Sequence, residues 1–513
     1  MREGFRQAMA WLHTWLGLTF GWLLFAMFLS GTLSYFKEEL NHWAHPEVPV
    51  RALDTRTALG HAEAFLQQTA PRAENWYVMP PNERQAALEV MWKQGDRFIS
   101  KLLDPATGQV VDARESRGGD FFYGFHYELQ LGYPFGRWVA SFAALAMLVT
   151  LISGIITHKK LFKEFFTFRP GKGQRSWLDG HNAVGVLILP FHLMITYSGL
   201  VIFMVMLLPA PLLTAYKGAP ANFYTDVFPN AFPGPAQGEP AQSAGLPRLY
   251  DAAIGQWPGA RFDRVEVQNP GDKAARVVFY PDGAARIAYL PGASLAFDGV
   301  TGQPLATTTV SGGALLIGGG FYGLHMGQFA SPVERWLYFI FGLGGTTMIG
   351  TGLMLWLTKR QLKHAREPRP PVGLRLVAAL NQASMAGLLL AVAGYLCANR
   401  LLPPHLADRS AWEVRVFFLT WLAALVHAAL RHSRRGWVEQ LTTAAALYLA
   451  LPLLGLFTTP RGLPQAIAER DWASAGVDLT AILCALVLAW LARKLARRQA
   501  VPVTTARPAR VAS

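Results

Sequence analysis

Apolar residues in this chain gather into long runs, and the polar stretches between them are very unequal in length. About 20 apolar residues cross a bilayer as a helix. On that measure the pattern predicts eight spans, at roughly 10–35, 137–157, 183–208, 335–357, 376–397, 413–430, 438–457 and 478–495. The first is too long to be a secretory leader. Its polar Ser30, Thr32 and Ser34 run straight into Lys37-Glu38-Glu39 with no small-residue cleavage site.

Two of the polar stretches, 36–136 and 209–334, are long enough to fold. In the first, a helix-like segment at 57–68 precedes strand-like segments at 87–91 and 98–103. In the second, a helix-like segment at 248–256 precedes strand-like segments at 277–280 and 287–290. The pattern predicts two small α+β domains, each a helix on a short antiparallel sheet. The expected fold is therefore a polytopic α-helical membrane protein with this division: 1–36, first span; 37–136, first α+β domain; 137–182, second span and its loop; 183–208, third span; 209–334, second α+β domain; 335–375, fourth span and its loop; 376–513, a four-span C-terminal extension with a basic tail.

Composition agrees. Of 513 residues, 52% are hydrophobic and only 16% charged, against about 25% charged in soluble domains. That excludes a disordered chain and the usual kind of nucleic-acid binder. The 47 Lys+Arg against 33 Asp+Glu give a formal charge of +14. The excess sits beside the even-numbered spans: Lys159, Lys160, Lys163, Arg169, Lys172 and Arg175; Lys359, Arg360, Lys363, Arg366, Arg369 and Arg375; Arg431, Arg434 and Arg435; Arg493, Lys494, Arg497 and Arg498. Basic loops stay on the cytoplasmic side, so both ends are expected inside and both α+β domains outside. In a bacterial inner membrane, outside is the periplasm. The positive charge reads as topology, with membrane lipid as the partner and no nucleic acid. Two cysteines, Cys397 and Cys484, exclude a disulfide framework, a thiolate-held iron–sulfur cluster and a Cys-based zinc site. No C-x-x-C-H stretch exists for covalent haem attachment.

A tandem repeat organises residues 1–160 and 175–360. Phe122-Tyr123-Gly124-Phe125-His126 matches Phe321-Tyr322-Gly323-Leu324-His325, followed by Arg137-Trp138 and Arg335-Trp336. Seventeen residues after each Arg stands the Gly of Ser153-Gly154 and of Thr351-Gly352. His13 and His181 each stand 18 residues before the Gly of Ser30-Gly31 and of Ser198-Gly199. The turn-like segments 104–109 and 298–303 match as well. The copies share orientation, so their axis runs along the membrane normal.

Four histidines occupy equivalent repeat positions: His13 and His181 towards the inner surface, His126 and His325 at the outer. A lone histidine in an apolar helix is ordinarily a packing residue, but intramembrane polar groups tend to be functional. A twofold axis brings equivalent residues together. Two bis-histidine sites on opposite sides of the bilayer suit a transmembrane electron wire, since haem iron accepts axial imidazole. Gly17 and Gly21, stacked with His13, and Gly185, beside His181, would give a flat porphyrin room. His158 competes at the inner end of the second span. His192 lies 11 residues after His181, about 16 Å along one helix face, past a kink expected at Pro190; it could ligate, pair with a propionate or relay a proton. His427 reads as packing, and His42, His45, His61, His364, His405 and His432 as solvated. Zinc would want three or four convergent ligands, often spaced i, i+4, and no such set occurs. There is no phosphate loop. Gly342-Leu343-Gly344-Gly345 reads as close helix packing.

Ala10-Trp11-Leu12-His13 through Gly17-Leu18, Ser30-Gly31, Phe125-His126, Trp177-Leu178-Asp179-Gly180-His181-Asn182 and Leu324-His325-Met326-Gly327 together resemble the PepSY-associated transmembrane proteins of bacteria, often described as iron-regulated inner-membrane proteins. The resemblance covers about residues 5–360. Some members are ferric-siderophore reductases that hold b-type haems between four transmembrane helices, with PepSY-like periplasmic domains. The resemblance thus implies about two haem b groups, with axial ligands among His13, His181, His126 and His325. His158 and His192 also fall where relatives often carry histidine. It implies reduction of a periplasmic ferric siderophore or similar chelate, which releases iron because Fe(II) binds hard oxygen donors more weakly. The donor is left open between a quinol and a cytoplasmic reductant, since no flavin or nicotinamide site is visible. The C-terminal extension departs from the minimal pattern and leaves a quinone or docking role open. Two other classes compete: a siderophore or metal permease, and a haem-free binding or sensing protein. The first four spans lack paired intramembrane carboxylates for proton coupling, and the sensor leaves the symmetric histidines unexplained.

Overall fold

The computed structural model describes residues 3–497, apart from 52–53, 96, 159–168, 170, 284–285, 290–291 and 310. Lys159, Lys160, Lys163, Leu290 and Arg498 of the sequence reading lie outside the described residues. In lipid every backbone polar group must be satisfied within the segment, so the apolar runs become helices. Among the described residues seven helices are long and apolar enough to cross a membrane, and an eighth span is bent.

The first half contains α1 (Glu3–Ser34), α2 (Lys37–Ala44), α3 (Thr55–Thr69), three strands, α4 (Asp120–Glu128) and α5 (Phe135–Thr157). The second contains α6 (Gln174–Leu187), α7 (Leu189–Ile202), α8 (Leu246–Gln256), four strands, α9 (Gly313–Met326) and α10 (Pro332–Lys363). Short helical turns between Met204 and Ala231 lead from α7 towards the sheet. The C-terminal bundle contains α11 (Val372–Leu401), α12 (Arg409–Leu430), α13 (Arg434–Thr458) and α14 (Trp472–Arg497). α1 packs against both α5 and α10 and so joins the two halves. The glycine run works as expected: β-carbons at Gly344 and Gly345 would run into Ile188 and Phe28.

The third span starts earlier than its apolar run and is broken. α6 and α7 meet at 68°, and the break falls at Ile188, just before Pro190 in the first turn of α7. Proline cannot continue the hydrogen-bond ladder of the preceding turn. His181 and His192 therefore do not share one straight helix face.

The α+β halves were expected to carry separate sheets. Their strands instead form one sheet. β1 (Asn75–Met79), β2 (Leu88–Gln94), β3 (Arg97–Leu103), β4 (Phe262–Gln268), β5 (Arg276–Pro281), β6 (Ser294–Asp298) and β7 (Pro304–Thr308) run in the order β3-β2-β1-β4-β5-β6-β7. The halves meet through β1 and β4, antiparallel, with Trp76 opposite Val267 and Val78 opposite Val265. That pairing closes two strand edges that would otherwise invite association. α3 and α8 cover one face through Leu59, Ala62, Leu66, Leu249 and Ala253. Buried Glu63 of α3 accepts from the backbone N–H of Leu246, at the start of α8, at 2.8 Å. Trp76 and Trp92 belong to this core. At the described residues 287–289 the strand expected over 287–290 is not formed; the ladder uses Ser294–Asp298.

The C-terminal bundle grips the linkers that join the sheet to the spans. Arg409 and Glu413, both with 0% side-chain exposure, pair at 2.6 Å. Arg409 also donates to the carbonyls of Glu115 and Asn399 at 2.8 and 2.6 Å. Arg114 reaches the carbonyls of Asn399 and Thr458, and Arg400 that of Trp43. His42, expected in solvent, is buried against Asp471 at 2.9 Å. Trp22 of α1 donates to Asn381 of α11 at 2.8 Å.

Candidate functional site

The four repeat-related histidines form two pairs. The ring centres of His13 and His181 are 6.2 Å apart, and those of His126 and His325 are 6.1 Å apart. Each pair takes one member from each half. Among the described residues no three His, Cys, Asp or Glu side chains converge to hold a metal ion, and each pair brings two imidazoles together.

Each histidine is seated in the same way by a small-polar–glycine pair on a neighbouring helix. His13 Nδ1 donates to the Thr150 carbonyl at 2.9 Å, and His181 Nδ1 to the Met348 carbonyl at 2.9 Å. His126 Nδ1 donates to the Met27 carbonyl at 2.8 Å. His325 Nδ1 lies 3.0 Å from Ser198 Oγ. That hydroxyl gives its proton to the Met194 carbonyl at 2.6 Å, so the imidazole is the donor to Oγ. The three carbonyls each lie four residues before a glycine: Gly154, Gly352 and Gly31. The rings lie against these glycines and, for His325, against Gly199. β-Carbons there would stand 2.7–3.1 Å from ring atoms. The hydroxyl before each glycine lies by the carbonyl four residues before that glycine: Ser153 and Thr351 donate to Thr150 and Met348, whereas Ser30 and Ser198 donate to Ala26 and Met194 and lie 3.1 and 3.2 Å from the Met27 and Ile195 carbonyls. With Nδ1 committed in all four rings, Nε2 is the basic nitrogen. A hydrogen bond at the other ring nitrogen fixes the tautomer and strengthens a ligating imidazole.

Of the glycines expected to make room for a flat ring, Gly17 has open space beside it: among the described residues a β-carbon there would meet nothing nearer than Thr150 Cγ2 at 3.9 Å. Gly21 is used for helix packing against Leu353, and Gly185 faces Met348 Sδ at 3.3 Å.

The pair at the sheet end opens on a cavity of 290 Å³ lined by His126, His325, Tyr123, Tyr127, Tyr322 and Arg137, with Thr196 deeper in the spans. Arg137 is held by Glu128 at 2.8 Å and lies over the rings of Tyr127 and Tyr133. Its repeat counterpart, Arg335, is instead taken by Glu39 at 2.6 Å. Burial, reinforced by the neighbouring His126, pushes His325 down to about 3, and burial likewise lowers His126. Both rings are therefore neutral at ordinary pH, the form that binds a metal.

His158 ends α5, and its Nε2 accepts from Asn182 at 2.9 Å, one residue from His181. His192 is fully buried and joins neither pair. His427 is a partner of Glu439 at 2.9 Å and of Gln440 at 3.1 Å. Arg137 and the four tyrosines of the cavity, Tyr35, Tyr123, Tyr127 and Tyr322, were missed as functional candidates. Two of them stand in the matched Phe-Tyr-Gly motifs, and that was the available signal.

A model of the PepSY-associated TM region matches residues 10–359. An uncharacterized protein of Pseudomonas aeruginosa is 28% identical over 408 residues, covering 75% of this chain and 98% of its own length.

Proposed function

The chain belongs to the PepSY-associated transmembrane family, and from that premise we propose that it is a bacterial inner-membrane electron-transfer protein with two b-type haems that reduces a periplasmic ferric siderophore or similar chelate. The observation that carries this is the spacing and common seating of the two histidine pairs. A metal–imidazole bond is about 2 Å, and the nitrogen lies roughly 1 Å outside the ring centre, so two imidazoles facing each other across one metal have centres about 6 Å apart. The pairs stand at 6.2 and 6.1 Å. The open side of Gly17 and the partnerless ring of His192 also fit an additional group between the helices.

His13 and His181 would hold one haem and His126 and His325 the other, each through Nε2. A bound haem supplies one-electron Fe(III)/Fe(II) exchange. The chain's own part is to fix four tautomers through Nδ1, keep the His126 and His325 rings neutral by burial, and shield both pairs from water among apolar side chains. The sheet and the tyrosine-lined cavity lie beside the His126–His325 pair, which suits arrival of the chelate on that side. The basic residues after the second, fourth, sixth and eighth spans support cytoplasmic termini. The electron donor is a quinol or a cytoplasmic reductant.

The test is the absorbance of detergent-purified protein, oxidised and dithionite-reduced. Sharp reduced α and β bands at about two haems per chain are expected. Haem-free protein from haem-replete cells would exclude the reading.

A further inference from the structure

His192 is 0% exposed, and neither ring nitrogen has a partner among the described residues. Phe28 and Phe191 flank it at 6.4 Å, and a β-carbon at Gly345 would lie 3.2 Å from its Nε2. One turn further along α7, Thr196 is 6% exposed, and its hydroxyl is partnerless too. That is unusual in this protein. Thr14, Thr32, Thr150, Thr157, Thr346 and Thr358 all donate to the carbonyl four residues back. Thr196 does not use that outlet, and it lines the cavity that reaches His126 and His325. Two adjacent buried polar groups without partners mark a place built for a hydrogen-bonding group.

Its location is midway between the histidine pairs. His192 stands seven residues before Gly199, the seat of His325, and its neighbour Gly345 stands seven residues before Gly352, the seat of His181. Seven helical residues rise about 10 Å. The repeat is broken here: the 168-residue offset that relates Gly31 to Gly199 pairs His192 with Leu24 and Thr196 with Phe28. Polar groups therefore face apolar ones across the axis, so the station serves one centre and not both alike.

Resting on the haem reading above, we propose that His192 and Thr196 are positioning residues that hydrogen-bond a carboxylate of one porphyrin. The imidazole N–H and the hydroxyl supply the donors. The carboxylate belongs to the haem of either pair, and the two sources give different results. Donation to a carboxylate withdraws negative charge from the iron's surroundings and favours Fe(II), so it raises that centre's midpoint potential.

The experiment measures haem content, the two midpoint potentials and thermal stability in the wild type, His192→Leu, His192→Gln and Thr196→Val. Haem-free and haem-loaded preparations are compared. An unpaired buried polar group is costly, and an apolar replacement removes that cost. His192→Leu should therefore raise the melting temperature of haem-free protein. In loaded protein it should lower one midpoint only, with both six-coordinate spectra retained, and Thr196→Val should lower the same one less. His192→Gln, which keeps an N–H, should hold it near the wild-type value. A fall at the centre lost in His325→Ala identifies the outer haem as the source, and a fall at the other identifies the inner. Loss of a six-coordinate spectrum in His192→Leu would make His192 an axial ligand and overturn the proposal. Unchanged midpoints, or lower stability in both preparations, would overturn it as well. Wild-type protein without haem would overturn the haem reading and this proposal together, whereas a loaded wild type indifferent to His192→Leu would overturn this proposal alone.

Discussion

A β-carbon on Gly31 would lie 2.7 Å from Nδ1 of His126, the nitrogen that donates to Met27. The ring cannot move off without losing that bond. Gly31→Ala should therefore shift or abolish the absorbance of one haem while the chain still folds. Gly476→Ala, whose β-carbon meets nothing within 4 Å, is the control and should leave the spectrum untouched. Equal spectra in both variants would mean the seat is not needed.

The pairing across the halves makes a stricter demand. His126→Ala and His325→Ala should each remove the same haem, and His13→Ala and His181→Ala the other. Each variant should retain about one haem per chain, because the two sites are built from different residues. Pyridine haemochrome content with low-temperature spectra would read this. Loss of two different haems from the His126 and His325 variants would refute the pairing.

Acid should act on the sheet-end pair. His325 is pushed from 6.5 down to about 3. Between those values the unfolded chain binds a proton that the folded ring refuses, so stability is fullest above about 6.5 and declines as pH falls towards 3. Protons also compete with iron for the same nitrogen. Haem retention at the His126–His325 site should fall over that window in a pH titration followed by absorbance, and full retention down to about pH 4 would refute it.

Arg409 and Glu413 offer a test of the C-terminal bundle. Removing one partner strands the other charge in the interior, so Arg409→Met should cost about 3–5 kcal/mol. Arg409→Met combined with Glu413→Leu should cost less than the sum of the singles, since no charge is left behind. Thermal unfolding in detergent measures both. Additive losses would show that the two side chains act independently.

The histidine pairs could be read from sequence because a repeat carries its own symmetry: His13 with His181 and His126 with His325 are matched by position before any coordinates exist. The spans were legible because lipid demands long apolar runs. What could not be read depends on contacts distant in sequence. His42 is buried because Asp471, 429 residues away, meets it. The joint between β1 and β4 is set by docking of the halves, which no local alternation encodes. Thr150 and Met348 supply carbonyls, and a backbone carbonyl leaves no trace in residue type. Residues 287–289 form no strand because a short apolar stretch satisfies a strand pattern without a partner edge, and the neighbouring edge of β5 is taken by β6.

The joined sheet has a consequence for how the protein can be divided. A chain cut in the basic loop near residue 170 would yield two halves, each with a bare edge strand and one histidine of every pair. Neither half would be a working unit, yet each would present the other with a matching edge. Supplied together in one cell, such halves should find each other as subunits, and a single half would be constrained to work, if at all, with a second copy of itself.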